Sequence, residues 1–147
     1  MTADPVTGEP YSRVKRTMES IAGRVRKEAA SLNRSEVNAF VTEIIATHEE
    51  RHRIFLLGEG RSGLVARSFA MRLMHLGFDV YVFGEVVTPA VRGKDLVIAV
   101  SGTGETGPVN ETARIAKHHG ARIAVVTSNA DSSLGKLAVD VVIIRGR

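Results

Sequence analysis

Cysteine and tryptophan are absent from this sequence of 147 residues, and only 5% of its residues are aromatic. The lack of cysteine excludes disulfides, thiolate catalysis and cysteine-ligated metals. So few aromatic side chains leave little for stacking on nucleic-acid bases. No apolar run approaches the roughly 20 residues of a membrane-spanning helix, and the N-terminus lacks the basic-then-apolar pattern of a signal peptide. We therefore expect a soluble, cytoplasmic protein with no membrane partner.

The positive charge is confined to one segment. The chain carries a net charge of +4, and residues 11–30 alone hold six basic and two acidic side chains. The remainder is therefore neutral overall. In a nucleic-acid-binding protein, a basic stripe usually adjoins a recognition element. This segment is instead typical of a solvent-exposed helix face, so we expect no nucleic-acid partner. The six basic residues are Arg13, Lys15, Arg16, Arg24, Arg26 and Lys27.

Length and composition suit one globular domain. A chain of this length can bury its own core, and hydrophobic residues make up 44% of it. Residues 1–10 contain two prolines and no periodicity, so we expect a mobile tail there, followed by a single domain over residues 11–147. Residues 11–52 carry two leading helices. The first spans Ser12–Leu32 on apolar spacings of three and four, and the second has Ser35 as its N-cap.

From residue 53 onward, short apolar runs alternate with helical segments. Continuous β-branched runs are typical of strands buried on both faces, and strands separated by helices form parallel sheets with right-handed crossovers. Residues 53–147 therefore predict the core of an α/β domain, a three-layer arrangement around a five-stranded parallel sheet. The predicted strands are Ile54–Leu57, Val80–Phe83, Leu96–Val100, Ile123–Thr127 and Val139–Ile144, and the helices between them are Leu64–Leu76, Val109–His119 and Ser132–Ala138.

Two loops rich in small residues each follow a strand and open a helix. They cover residues 58–63 and 101–106. Glycine lets a backbone approach a ligand closely, and a helix N-terminus presents unpaired N–H groups and a positive dipole end. Both loops lie at the carboxyl edge of the predicted sheet, where ligands bind. We expect a phosphate group to be held there by the hydroxyls of Ser62, Ser101, Thr103 and Thr106 and by the backbone at Gly60, Gly102 and Gly104.

Other interpretations of the loops stay open. Each could be an ordinary strand-to-helix turn with capping hydroxyls. The first loop also matches G-x-G-x-x-G, and Glu85 follows the second strand where a dinucleotide fold places its ribose-binding acid. A dinucleotide leaves the second loop unexplained, however. Neither loop has the lysine of a nucleoside-triphosphate-binding loop, so triphosphate hydrolysis is not expected.

Several segments together resemble sugar isomerase domains. The second loop is common to that whole family, whereas the segment Ala70–Gly77 and the triplet Thr88-Pro89-Ala90 are specific to its 6-phospho-3-hexuloisomerase members. The resemblance covers residues 54–147, about two thirds of the chain. Its matching segments are Gly58–Gly63, Phe69–Gly77, Gly84-Glu85, Thr88-Pro89-Ala90, Ser101–Thr106, Thr127-Ser128-Asn129 and Asp131-Ser132.

The resemblance implies a fold, a reaction and an assembly. The sheet is expected to be flavodoxin-like, with strand order 2-1-3-4-5. The implied reaction converts 3-hexulose 6-phosphate to fructose 6-phosphate in the ribulose monophosphate pathway of formaldehyde assimilation, without a metal or an organic cofactor. Homodimers or homotetramers are implied, with sites that borrow residues from a neighbouring subunit. By position, Ser62, Ser101, Thr103 and Thr106 would bind the phosphate.

Moving a carbonyl from C3 to C2 requires a base that takes the C2 proton and returns it at C3 through an enediolate. We call the two phosphate loops, residues 58–63 and 101–106, the cradle. Glu85 is the carboxylate best placed at the carboxyl edge of the sheet outside this cradle. His75 is a further candidate, and Arg61 would neutralise the phosphate or polarise the carbonyl. Glu105 is expected to shape the phosphate loop.

Family members continue past the fifth strand with a segment that bears a glutamate and a final helix, whereas this sequence ends at Arg147. We therefore expect that Glu85 is recruited as the base, that the sequence is a truncated form, or that the domain is a non-catalytic sensor, which binds a sugar phosphate and signals to a partner.

Overall fold

The computed structural model describes residues 9–146. Most of the predicted mobile tail, residues 1–10, lies outside the described residues, as does Arg147. Pro10, which the prediction placed in the tail, is the first residue of helix α1. The described chain begins with α1 (Pro10–Ser31) and α2 (Arg34–Glu49), the two leading helices that the sequence predicts.

Five strands and two further helices follow. In chain order they are β1 (Ile54–Leu57), α3 (Gly60–His75), β2 (Val80–Val82), β3 (Leu96–Val100), α4 (Gly107–His118), β4 (Arg122–Thr127), a short 3-10 helix (Gly135–Leu137) and β5 (Asp140–Ile143). Every strand pair is parallel, and the order in the sheet is β2-β1-β3-β4-β5. The predicted fold class and strand order are confirmed.

The sheet separates two hydrophobic cores because alternate side chains of a strand point to opposite faces. Ile54 and Leu56 of β1 pack with α2 and α3 on one face. Phe55 and Leu57 pack with α4 on the other. All four residues of β1 are buried, as expected for a central strand covered on both sides. The helices thus form two outer layers around the sheet.

The connection from β2 to β3 crosses the second face without a helix, over residues 83–95. It is held at its end by Asp95, which is 2% exposed. The Asp95 carboxylate accepts hydrogen bonds from the Arg53 guanidinium at 2.6 Å and from the backbone N–H of Arg92 at 2.8 Å. Arg53 also donates to the carbonyl of Ala90 at 3.0 Å. This buried ion pair therefore ties the β2–β3 connection to the start of β1.

Two local predictions are wrong. Asn33, not Ser35, is the N-cap of α2, because its Oδ1 accepts from the backbone N–H groups of Ser35 at 2.9 Å and of Glu36 at 3.2 Å. Ser35 lies inside the first turn, where its N–H needs a partner. The helix predicted over Ser132–Ala138 is reduced to the 3-10 turn Gly135–Leu137, preceded by hydrogen-bonded turns at Ser132.

Helix α1 has no buried residue. One of its side chains reaches the end of the sheet: the Glu28 carboxylate accepts from the backbone N–H groups of Arg145 at 3.0 Å and Gly146 at 3.2 Å. No helix within residues 9–146 combines the length and the apolar character needed to cross a lipid bilayer. The apolar side chains of α1 all remain exposed, at Tyr11, Val14, Met18, Ile21 and Val25.

Replacing Asp95 by alanine is expected to lower the free energy of unfolding by about 3 kcal/mol, because it leaves the Arg53 charge buried without a partner. Glu111→Ala is the matched control: it breaks the exposed Glu111–Arg114 pair and should change stability by less than about 0.5 kcal/mol. Urea denaturation at neutral pH measures both. Equal effects of the two variants would contradict the structural role of Asp95.

The difference in stability between wild type and Asp95→Ala should decrease at acidic pH. Burial by itself raises the pKa of Asp95, but hydrogen bonds from Arg53 and the Arg92 backbone outweigh burial and hold that pKa below 3.8. A carboxyl with a lowered pKa stabilises the fold above its unfolded pKa and loses that contribution as pH falls through its folded pKa. The stability gap between wild type and Asp95→Ala should therefore narrow below pH 3.8.

Candidate functional site

The two small-residue loops are neighbours at the carboxyl edge of the sheet. β1 and β3 pair directly, with Leu57 opposite Ala99, and each strand leads into a loop and then a helix. α3 begins at Gly60 and α4 at Gly107. Their N-termini therefore lie beside each other above adjacent strands, and the structure brings the two predicted phosphate loops together.

The first loop is a tight turn that only glycine allows. A Cβ atom on Gly63 would lie 2.7 Å from the carbonyl oxygen of Gly58, and Gly60 has a φ of 55°. Glu59, the N-cap of α3, makes no side-chain hydrogen bond to the helix, so the first N–H groups of α3 remain available. Ser62 is half-buried in this first turn, whereas Arg61 is exposed.

The second loop is organised by a buried hydroxyl. Ser101 is 2% exposed, and its Oγ accepts from the backbone N–H of Gly104 at 3.1 Å and lies 3.1 Å from Thr106 Oγ1. Thr103 Oγ1 accepts from the N–H of Glu105 at 3.2 Å. Thr103 Oγ1 accepts a bond from the loop, so its hydroxyl proton is free for a ligand. The hydroxyl proton of Thr106 is also free when Ser101 is the donor in the bond between the two side chains.

Gly104 allows this loop to pack against the segment that follows β4. Its φ is 69°, and a Cβ there would overlap the side chain of Ser132, which is 1% exposed. The Gly104 carbonyl accepts from the N–H of Leu134 at 3.1 Å and from Asn110 Nδ2 at 3.2 Å. The second loop is therefore fixed on the side that faces α4 and the β4–β5 connection. Sequence patterns did not identify Asn110 or Leu134 as contributors to this support.

Glu105 faces the supporting segment. Its Oε1 accepts from the backbone N–H of Ser133 at 2.7 Å, and hydrogen bonding by Ser133 lowers the pKa of the Glu105 carboxyl below its usual value. A carboxylate stabilised in its charged form is a weak base. This geometry fits the expected role of Glu105 in shaping the loop.

The N-terminus of α4 adds hydrogen-bond donors beside those of α3. Thr106 is the N-cap residue, yet its side chain makes no capping hydrogen bond to the helix. In α4 the N–H groups of Gly107 and Val109 are donors, since position 108 is a proline without an N–H. The open N–H groups of α3 and the free hydroxyls add to them. Such a set can bind the oxygens of a phosphate ester, and the helix dipoles favour its negative charge.

The predicted catalytic residues lie at different places. Glu85 is in the turn that follows β2, and its Oε1 lies 3.1 Å from Arg67 Nε of α3. Arg61 lies in the first turn of α3, next to the cradle. His75 is in the last turn of the same helix, and a helix of 16 residues is about 24 Å long. The structure thus brings Glu85 and Arg61 to the carboxyl edge and leaves His75 at the opposite edge.

Comparison with known proteins identifies the family. The model of the SIS domain, the sugar isomerase domain, matches residues 48–146. This chain therefore belongs to the SIS domain family.

Its relatives include proteins named for one reaction. The 3-hexulose-6-phosphate isomerase of Bacillus subtilis is 42% identical over 118 residues, which are 80% of this chain and 62% of that protein. The enzyme of the same name from Mycobacterium gastri is 41% identical over 131 residues, 89% of this chain and 64% of that protein. The predicted resemblance to sugar isomerase domains, and to 6-phospho-3-hexuloisomerases among them, is confirmed.

A solved structure gives the same picture. A protein from Methanococcus jannaschii, whose crystal structure was taken to infer the function of a 3-hexulose-6-phosphate isomerase, superposes with a TM-score of 0.67 and 35% identity. The superposition covers 74% of this chain and 59% of that one. This chain spans about three fifths of the length of these relatives.

Proposed function

We propose that this chain is a sugar-phosphate isomerase that interconverts 3-hexulose 6-phosphate and fructose 6-phosphate, a step of the ribulose monophosphate pathway. The observation that carries the proposal is the pair of adjacent helix N-termini, both without side-chain caps and both surrounded by hydroxyls. The identity of 41% to 42% with enzymes named for this reaction supports the choice of substrate.

In this proposal the phosphate ester occupies the cradle between the two loops. Ser62, Thr103 and Thr106 donate to its oxygens together with the backbone N–H groups of Gly60 and Gly102, whereas the N–H of Gly104 is already bound to Ser101 Oγ. Ser101 supports the loop without donating to the phosphate, since its buried hydroxyl orients Thr106 and Gly104. Arg61 adds a positive charge at the rim. Fixed donors of this kind bind an anion without having to reorganise, which is also how they stabilise developing negative charge.

The chemical step moves one proton between carbon atoms. A carboxylate takes the proton from C2 of the 3-ketose, so that the electron pair forms the C2–C3 double bond and the C3 oxygen becomes an enediolate oxygen. Return of the proton to C3, with transfer of the hydroxyl proton from O2 to O3, gives the 2-ketose. No electron is gained or lost overall, so we propose no redox cofactor. We assign the carboxylate role to Glu85, with Arg67 orienting it.

The activity is tested by generating 3-hexulose 6-phosphate in situ and following the appearance of fructose 6-phosphate. Wild-type protein should turn over, and Glu85→Gln should lower kcat on the order of 10²- to 10⁴-fold, the contribution typical of a general base. Glu49→Gln, at an exposed position on α2, is the control and should be as active as wild type. Full activity of Glu85→Gln would exclude Glu85 as the base.

A second candidate is a non-catalytic module that binds a sugar phosphate and signals to a partner. It is favoured by the pairing of Glu85 with Arg67 and by the remote position of His75, which leave the cradle itself without a free acid–base pair within residues 9–146. Thermal stabilisation by fructose 6-phosphate without turnover would support this module. Stabilisation by a dinucleotide instead would support the interpretation of the first loop as a dinucleotide-binding motif.

The phosphate assignment has its own test. Ser101→Ala combined with Thr103→Ala removes one phosphate-donating hydroxyl and the buried hydroxyl that orients Thr106 and Gly104, and we expect it to abolish thermal stabilisation by fructose 6-phosphate. The matched control is Thr17→Ala with Ser20→Ala, two exposed hydroxyls on α1, which should preserve the stabilisation. Unchanged ligand stabilisation in the cradle variant would place the phosphate elsewhere.

We also propose that the chain forms homodimers or homotetramers in which the exposed stripe of α1 packs against a second copy. Its large apolar side chains recur every three or four residues along one face, and each is about half exposed or more: Val14 59%, Met18 65%, Ile21 49% and Val25 64%. Stripes of this kind are normally covered in an assembly.

Light scattering coupled to size exclusion should therefore give a dimer or tetramer for wild type and a lower mass for Met18→Glu combined with Val25→Glu. Ser12→Glu combined with Ala30→Glu adds the same charge on the opposite face of the helix, and this control should keep the wild-type mass. A monomeric wild type, or a stripe variant of unchanged mass, would refute the interface.

A further inference from the structure

The carbonyl oxygen of Gly102, in the second phosphate loop, receives three hydrogen bonds from the residues at the end of β4. The backbone N–H of Ser128 donates at 3.0 Å, Ser128 Oγ at 2.6 Å and Thr127 Oγ1 at 3.3 Å. A carbonyl oxygen has two lone pairs, so three donors leave it no capacity for another partner. The direction of this peptide group is therefore firmly held.

That direction decides where the next donor points. In a trans peptide the carbonyl and the following N–H point to opposite sides, so the N–H of Thr103 points away from Ser128. β4 lies on one side of β3 and β1 on the other. With the Gly102 carbonyl turned toward the end of β4, the Thr103 N–H is turned toward β1 and the loop of Gly58–Gly63.

The β4–β5 connection, which continues from Ser128, restrains a second carbonyl of the loop, that of Gly104. The N–H of Leu134 donates to the carbonyl of Gly104. Two carbonyl oxygens, each with a partial negative charge, are thus drawn toward the β4–β5 connection. If either turned toward the cradle, it would repel a phosphate group and remove an N–H donor from it.

We propose that Ser128 is a positioning residue for phosphate binding: its hydroxyl locks the Gly102 carbonyl away from the cradle and so aims the Thr103 N–H at the phosphate. The role rests on the proposed function, since it requires a phosphate between the two loops. Ser128 has no part in the proton transfer and does not touch the ligand. It is exposed, so its hydroxyl is not needed to fill the hydrophobic core.

The test compares Ser128→Ala, Ser128→Thr and wild type by calorimetric titration with fructose 6-phosphate. In Ser128→Ala the Gly102 peptide keeps two of its three donors but is less firmly oriented, so Kd should rise by up to about fivefold, the equivalent of one ordinary hydrogen bond. Ser128→Thr keeps the hydroxyl and should restore Kd to within about twofold of wild type. Ser68→Ala, which removes an exposed hydroxyl from α3, should bind like wild type. In turnover assays Ser128→Ala should raise KM and leave kcat nearly unchanged, because the phosphate is bound equally in ground and transition states.

Each outcome has one meaning. A weaker Kd in Ser128→Ala that Ser128→Thr reverses, measured at a temperature where all three proteins are fully folded, supports the positioning role. Wild-type affinity in Ser128→Ala overturns it while leaving the phosphate site intact. A loss that threonine does not reverse also overturns it, since the hydroxyl is then not the cause. No binding of fructose 6-phosphate by wild type overturns the proposed function and the positioning role together.

Discussion

The parallel pairing of β1 with β3 is the contact on which the candidate site depends. With Ile54 opposite Leu96 and Leu57 opposite Ala99, the two strands end at the same height, and each passes its chain to a helix that starts above the sheet. Two positive helix ends are thereby held side by side, although they repel each other. An anion bound between them relieves that repulsion. The hydrophobic burial of the two strands therefore maintains an electrostatic arrangement that is unfavourable without a ligand.

The strand order explains why the two loops lead to opposite faces of the sheet. β1 is followed by α3, which packs on one face of the sheet, whereas β3 is followed by α4, which packs on the other. The two chains therefore leave the sheet in opposite directions, as at the switch point of other open parallel sheets, where ligands bind. The helix-free connection from β2 to β3, tied down by Asp95 and Arg53, crosses the α4 face and carries Glu85 at the same edge.

Sequence patterns predicted those features that depend on neighbouring residues. β1 and β3 have the predicted ends because each is a continuous apolar run that follows a charged residue and ends before a glycine or a serine. The loops were recognised from their glycines and hydroxyls. By contrast, the cap at Asn33 was missed because Ser35 is an equally good capping residue in sequence. The remoteness of His75 follows from counting the residues of α3. The bonds from Thr127 and Ser128 to Gly102 join positions about 25 residues apart, which no local pattern relates.

The residues behind the cradle explain how a loop with several glycines can still present donors in fixed directions. Glycine makes a chain flexible unless its neighbours restrain it, and here the restraint comes from hydroxyls that are almost completely buried: Ser101, Thr127 and Ser132. Ser101 and Thr127 hydrogen-bond to the second loop, whereas Ser132 bonds within the β4–β5 connection and packs against Gly104. Buried polar groups that are paired in this way resist reorientation. The glycines are therefore needed for close approach, as between Gly104 and Ser132, while the hydroxyls supply rigidity. An anion entering this cradle meets donors that are already oriented, so little of its binding free energy is spent on ordering the loop.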